Sequence, residues 1–226
     1  MALCVMFDLD GTLIDSRAAI LSAYRYALEP VVGGFARLES LGFGHVMRIR
    51  MVDVMTEVAG RLAGDCAVRY DDFYHREAHR HVRIYPGAVD LLTDLRDLGL
   101  PLGIVTNKGR SRTATDLDGL DGEGTGRQLF AVIISTEDTA LPKPSPQPIL
   151  LALERTAWPA ADTVYVGDGP HDLEAAQAAG TTFIGAGWGY YGEQALADAP
   201  TKHPIEIATD VPDLHKRLVH RMRQAT

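Results

Sequence analysis

Cysteine is scarce: Cys4 and Cys66 are the only two among 226 residues. They form no C-x-x-C pair and stand near no histidine at zinc spacing, which excludes a disulfide scaffold or a zinc finger and leaves two reduced, structural thiols. Long hydrophobic runs are missing too, none reaching the roughly 18 residues that a membrane span needs. Residues 1–7 carry neither the basic start nor the small-residue cleavage site of a signal peptide. The expectation is a soluble, cytoplasmic protein that engages no membrane. Positive charge is also short, with 22 Lys and Arg against 30 Asp and Glu, a net charge of −8 and a pI near 5.4. Binding to a phosphate backbone demands an excess of exposed cations, so nucleic acid is not expected as a partner. The one basic stretch, 215–223, reads as a solvated helix face. Internal repeats and low-complexity segments are absent.

What is present is an ordinary globular balance, 46% hydrophobic and 23% charged residues, in a length that suits one core domain with a modest insertion. Short runs rich in Val and Ile at 3–8, 101–106, 130–135, 163–167, 181–185 and 205–208 alternate with helical patterns. That rhythm is the signature of β-α units and a parallel sheet. Residues 88–98 place Val89, Leu91, Leu92, Leu95 and Leu98 on one helix face, ending at Gly99. Further helices are expected at 146–156, at 171–179 before Gly180, and from near Pro212 onward.

The rhythm breaks once. After the first strand no convincing strand appears until Pro101, and the patterns between are helical. Residues 16–28 read as a helix with Asp15 or Ser16 at its N-cap. Met47, Met51 and Met55 recur every fourth residue on another helix, a stripe that reads as packed core because Met fills irregular gaps. The segment 116–127, acidic and rich in Gly, reads as a surface loop. The expected fold class is α/β: a Rossmann-like parallel sheet with helices on both faces, formed by residues 1–15 and 86–226. Residues 16–85 are then an inserted α-helical cap domain.

Two carboxylates, Asp8 and Asp10, follow the first strand directly and precede Gly11-Thr12. Ligands of open parallel sheets bind at the carboxyl ends of the strands, so both acids point at the expected site. The segment Phe7-Asp8-Leu9-Asp10-Gly11-Thr12-Leu13-Ile14-Asp15-Ser16 resembles the first motif of the haloacid dehalogenase-like (HAD) hydrolase superfamily, in the D-x-D-G-T form of its phosphatases. Gly103-Ile104-Val105-Thr106-Asn107-Lys108 resembles the second motif, and Leu141-Pro142-Lys143-Pro144-Ser145-Pro146 the third. Val164-Tyr165-Val166-Gly167-Asp168-Gly169-Pro170-His171-Asp172 is similar to the fourth, an acidic pair spaced i, i+4. It departs from many relatives in having Gly169 where they carry Ser or Thr.

The resemblance implies a magnesium-dependent phosphatase acting on a small phosphorylated metabolite. By it, Asp8 is the nucleophile that forms an aspartyl-phosphate, and Asp10 the general acid and base. Thr106 and Lys143 complete an electrostatic cradle, and Asn107 and Gly11 join them in binding phosphate. Mg²⁺ is held by Asp8, the Asp10 carbonyl and Asp168, with Asp172 acting through water or by supporting the other ligands. Haloacid dehalogenases lack an acid at the position of Asp10, so the second Asp points to phosphoryl transfer.

The cap resembles that of phosphoglycolate phosphatase-like members, and the protein is expected as a monomer or homodimer. Within the cap, His45, Arg48 and Arg50 are candidates for contacting a substrate carboxylate or hydroxyl. Residues i and i+2 diverge on a helix, so at most one arginine faces the substrate and solvated surface is the favoured reading of the pair. A β-phosphoglucomutase-like transferase, which shares every core motif, and a non-catalytic binding protein of the same fold remain as alternatives.

Overall fold

The computed structural model describes residues 3–120, 124, 126–201 and 204–225. Strand β1 (Cys4–Phe7) is buried along its whole length, and its side chains alternate. Val5 and Phe7 enter one apolar cluster and Met6 another, as the two-residue period of a strand buried on both faces requires. β4 (Leu102–Val105), β5 (Val132–Ile134), β6 (Thr163–Gly167), β7 (Thr182–Ala186) and β8 (Glu206–Ala208) join it in a six-stranded sheet of order β5-β4-β1-β6-β7-β8. Every pairing in it is parallel. The expected strands thus lie within two residues of the observed ones.

Helices cover both faces. On one side Leu91, Leu92 and Leu95 of α6 (Ala88–Asp97) and Leu214 and Leu218 of α11 (Val211–Ala225) meet Val5 and Phe7. On the other, Ile149 of α8 (Gln147–Thr156), Leu173 of α9 (Pro170–Ala179) and Leu196 of α10 (Gly192–Ala197) meet Met6 and Tyr165. Cys4 and Cys66 are buried and in no disulfide. Among the described residues no helix is long and apolar enough to cross a membrane.

Two short strands that the sequence patterns did not reveal, β2 (Ile14–Asp15) and β3 (Arg83–Ile84), pair antiparallel where the chain leaves and rejoins the sheet. Between them run α1 (Arg17–Ala27), α2 (Gly34–Leu41), α3 (Phe43–Arg48), α4 (Met51–Ala59) and α5 (Ala63–Arg76). These helices close around their own apolar cluster, which includes Tyr24, Leu38, Val54, Met55, Tyr70 and Tyr74.

Two expectations need correction. The methionine stripe spans α3 and α4 instead of one helix; Met55 is core, whereas Met47 and Met51 also line the cavity between the helical unit and the sheet. The segment 116–127 is not all loop. Asp116–Asp118 form the last turn of α7 (Arg110–Asp118), Asp116 is buried by its ion pair with Lys108, and residues 126–129 form a 3₁₀ turn. Residues 121–123 and 125 of that segment lie outside the described residues.

Candidate active site

The carboxyl ends of β1, β4 and β6 deliver the acids and their cations to one point, as the crossovers of a parallel sheet dictate. The Asp8 N–H donates to the Val166 carbonyl at 2.8 Å, which ties the end of β1 to β6. Its Oδ1 lies 2.8 Å from Lys143 Nζ. Lys143 has no solvent exposure. Its ammonium also donates to Asp172 Oδ1 at 2.7 Å, to Tyr165 Oη at 2.8 Å and to the Val105 carbonyl at 3.1 Å. One lysine therefore bridges two buried acids.

Asp168, buried at the end of β6, accepts from the Tyr190 main-chain N–H at 2.6 Å. Asp172, in the first turn of α9, spends Oδ2 on the Gly169 N–H at 3.0 Å and Oδ1 on Lys143. Burial first, then the neighbouring carboxylates, pushes the Asp8 acid up to about 7 against the pull of Lys143, and holds that of Asp168 well above the usual carboxylate range. Asp172 goes the other way: its ionised form is favoured, despite burial, by His171, by Lys143 and by the Gly169 N–H.

Asp10 is buried beside Asp8, and its Oδ1 accepts from Lys108 Nζ at 2.8 Å and from the Ser16 hydroxyl. Ser16 stands at the N-cap of α1 without capping it, because its hydroxyl is turned to Asp10. The Tyr190 hydroxyl accepts from the Ser16 N–H at 2.7 Å, and Trp188 Nε1 donates to the Thr12 carbonyl at 3.1 Å. The aromatic loop after β7 thus clamps both Asp168 and the turn behind Asp10.

Thr106, buried just past β4, lines the cavity with Asp8 and Asp10. Two expected phosphate contacts have other occupations. Asn107 accepts from the Lys143 N–H at 2.9 Å and donates to the Lys143 carbonyl at 2.9 Å, so its amide holds the lysine segment. The Gly11 N–H donates to the Ile14 carbonyl at 2.8 Å. Gly11 instead makes room, since it sits at φ +84° and a β-carbon there would collide with the Asp168 carboxylate.

At Gly169 the missing side chain has a similar cause. A β-carbon would overlap the His171 ring and stand 2.9 Å from Tyr191 Cε2. His171 is buried, lines the cavity, and is held neutral by burial, which lowers its pKa to about 4 against the pull of Asp172. It groups with Asp8 and Asp172, ligand atoms all within 4.8 Å.

The cavity holds about 60 Å³. Its floor includes Asp8, Asp10, Thr106, Asn107, Lys108 and Arg112, and its roof Ile20, Tyr24, Met47, Ile49, Met51 and Tyr70 of the helical unit. The unit is tied down at both rims. On one, Tyr74 Oη donates to Asp116 Oδ2 at 2.7 Å and Arg112 pairs with Asp71. On the other, Tyr191 Oη donates to the Gly44 carbonyl at 2.6 Å, Arg48 pairs with Glu174 at 3.2 Å, and Arg50 donates to the Ala140 carbonyl. His45 pairs with Glu57 at 3.2 Å. None of the three residues singled out in the cap lines the cavity.

Lys108, Ser16, Tyr165, His171 and the aromatic loop were not foreseen. Lys108 sits next to Thr106-Asn107 in the second motif, and the run Gly187-Trp188-Gly189-Tyr190-Tyr191-Gly192 at the end of a core strand was the available signal for the loop.

The family model described as haloacid dehalogenase-like hydrolase matches residues 5–186. The chain is 36% identical over 193 residues to the pyrophosphatase PpaX of Bacillus pumilus, covering 85% of this chain and 86% of that one. It is 34% identical over 213 residues to the phosphoglycolate phosphatase of Escherichia coli K12, covering 84% and 83% of the two. A hydrolase from Pseudomonas syringae superposes with a TM-score of 0.77 at 23% identity, over 96% of this chain and 98% of that one, a likeness of fold.

Proposed function

The chain belongs to the haloacid dehalogenase-like hydrolases and is a phosphatase of small phosphorylated substrates; on that premise we propose that it acts through Mg²⁺ and a phosphoryl group carried on Asp8, with a phosphoglycolate-like metabolite as substrate. The observation that carries this reading is the buried ammonium of Lys143 set against both Asp8 and Asp172, with Asp10 and Asp168 converging on the same strand ends.

The donor set suits the metal. Burial and the neighbouring carboxylates raise the pKa of both Asp8 and Asp168, the mark of acids crowded together where a cation would relieve them. Carboxylate and carbonyl oxygens suit a hard divalent cation. Asp8, Asp168 and the Asp10 main-chain carbonyl would hold it, with Asp172 holding Lys143. Bound there, the ion neutralises phosphate charge and polarises a phosphoryl oxygen.

In this reading an Asp8 oxygen attacks phosphorus in line while Asp10 gives a proton to the departing oxygen. Asp10 then takes a proton from the water that cleaves the aspartyl-phosphate. Lys143 and the Thr106 hydroxyl stabilise the charge moving between oxygens. The helical unit, proposed as a cap over residues 16–85, roofs a space suited to a phosphoryl group with a small leaving group.

Phosphate release from 2-phosphoglycolate and p-nitrophenyl phosphate tests the proposal. Both activities are expected with Mg²⁺ and lost in EDTA, and Asp8→Asn is expected to lower kcat by at least about a thousandfold, as loss of a nucleophile does. Undiminished turnover by Asp8→Asn would sink it.

A further inference from the structure

Lys108 is a buried cation that the reaction above leaves unused, and it lies against Asp10 itself. Its Nζ lies 2.8 Å from Asp10 Oδ1 and 2.7 Å from Asp116 Oδ2. Asp116 Oδ2 also accepts from Tyr74 Oη at 2.7 Å, and the Tyr74 ring centroid is 5.0 Å from the ammonium. Four groups, none more than 7% exposed, therefore run from α5 of the helical unit to the acid beside the nucleophile: Tyr74, Asp116, Lys108 and Asp10. A buried lysine is a weak source of stability, because desolvation cancels most of the attraction to its partners. What two carboxylates and a buried ammonium fix well is geometry.

That geometry bears on Asp10. Its bonds from Lys108 and Ser16 both end on Oδ1, which leaves Oδ2 for proton transfer. The Asp116 carboxylate meanwhile offsets the lysine's charge, so the ammonium can orient Asp10 without adding a net positive charge beside it.

We propose that Lys108 is a positioning residue for the general acid, holding Asp10 with Oδ2 toward the leaving group, and that Tyr74, through Asp116, makes this hold depend on the helical unit lying closed over the sheet. The inference rests on the reading of Asp10 as proton donor. In the step concerned, the bond from Asp8 to phosphorus forms, the bond from phosphorus to the leaving oxygen breaks, and the Oδ2 proton moves to that oxygen, leaving Asp10 as a carboxylate.

Phenyl phosphate and p-nitrophenyl phosphate test it, because they share a shape while only the far more basic phenolate needs that proton to depart. The readout is kcat/KM, which reports the steps through transfer to Asp8. General acids contribute about 10²- to 10⁴-fold. Lys108→Met is accordingly expected to lower kcat/KM for phenyl phosphate by about 30-fold or more and for p-nitrophenyl phosphate by less than about threefold. Tyr74→Phe is expected to shift the same ratio in the same direction by about fivefold. Should Lys108→Met melt below the assay temperature, Lys108→Gln, close in length and neutral, carries the same expectation. Equal losses on both substrates in the Lys108 variants overturn the positioning role, and a Tyr74→Phe ratio equal to that of the unaltered enzyme overturns the link to the helical unit. An unaltered enzyme that releases no phosphate from either compound sinks the phosphatase reading itself, a different result from either of these.

Discussion

Gly11 turns through φ +84° with the Asp168 carboxylate where a side chain would go. Replacing it tests how far a single β-carbon disturbs the proposed metal cradle. Gly11→Ala should cost roughly 1–2 kcal/mol from the left-handed backbone alone, with a further loss as Asp168 is displaced. The affinity for Mg²⁺ should fall about 10- to 100-fold, as it does when a group that orients a ligand is lost. Urea unfolding and a Mg²⁺ titration of phosphate release measure the two effects, and an unchanged Mg²⁺ requirement would mean that Asp168 is not a ligand. The same position marks what the sequence could and could not disclose. Residue types and spacing brought Asp8, Asp10, Thr106, Lys143 and Asp168 together, but not which oxygen or N–H each would use. The Gly11 and Asn107 donors are consumed by the Ile14 carbonyl and by the main chain of Lys143, contacts that exist only once the strands are side by side.

Among the elements, strands and core helices were legible from their patterns: the short continuous apolar run of β1, the apolar face of α6. Two-residue strands have no period to read, so β2 and β3 emerge only from their pairing. Lys108 and Asp116 were missed for a related reason. A buried charge is recognisable only by its partners, and besides each other these two have theirs 98 residues away, at Asp10 for Lys108, and 42 residues away, at Tyr74 for Asp116. The outer rim of the helical unit gives a test at this scale. Arg48 was a candidate substrate contact, yet it pairs with Glu174 with nearly half of each side chain exposed. Exposed pairs contribute only about 0–1 kcal/mol. Arg48→Ala should therefore alter KM by less than about threefold, and a larger rise in steady-state KM without loss of stability would place its guanidinium on the substrate.

For the molecule as a whole, the acids at the strand ends set an opposition between folding and ionisation. Asp8 has a folded pKa of about 7, above the carboxylate value near 4 of an unfolded chain, and Asp168 is shifted the same way. A raised acid keeps its proton better in the folded state, so its contribution to stability is complete at low pH and is lost as pH rises through the folded pKa. His171 acts oppositely. Its pKa is lowered to about 4 from an unfolded value near 6.5, so stability falls as pH drops through that window. The two effects offset each other between about pH 4 and 6.5, where the histidine and Asp8 both change charge on unfolding. Above about pH 6.5 the histidine is neutral in both states, and the acids act alone. The metal-free protein should thus lose several degrees of Tm between about pH 6.5 and 8. A divalent cation that binds the ionised acids should remove that decline, and its stabilisation should grow with pH because binding displaces protons. Thermal unfolding in EDTA and in millimolar Mg²⁺ across this range measures both curves. Parallel curves, with the same slope in each buffer, would show that the acids holding the excess negative charge are not those that meet the metal.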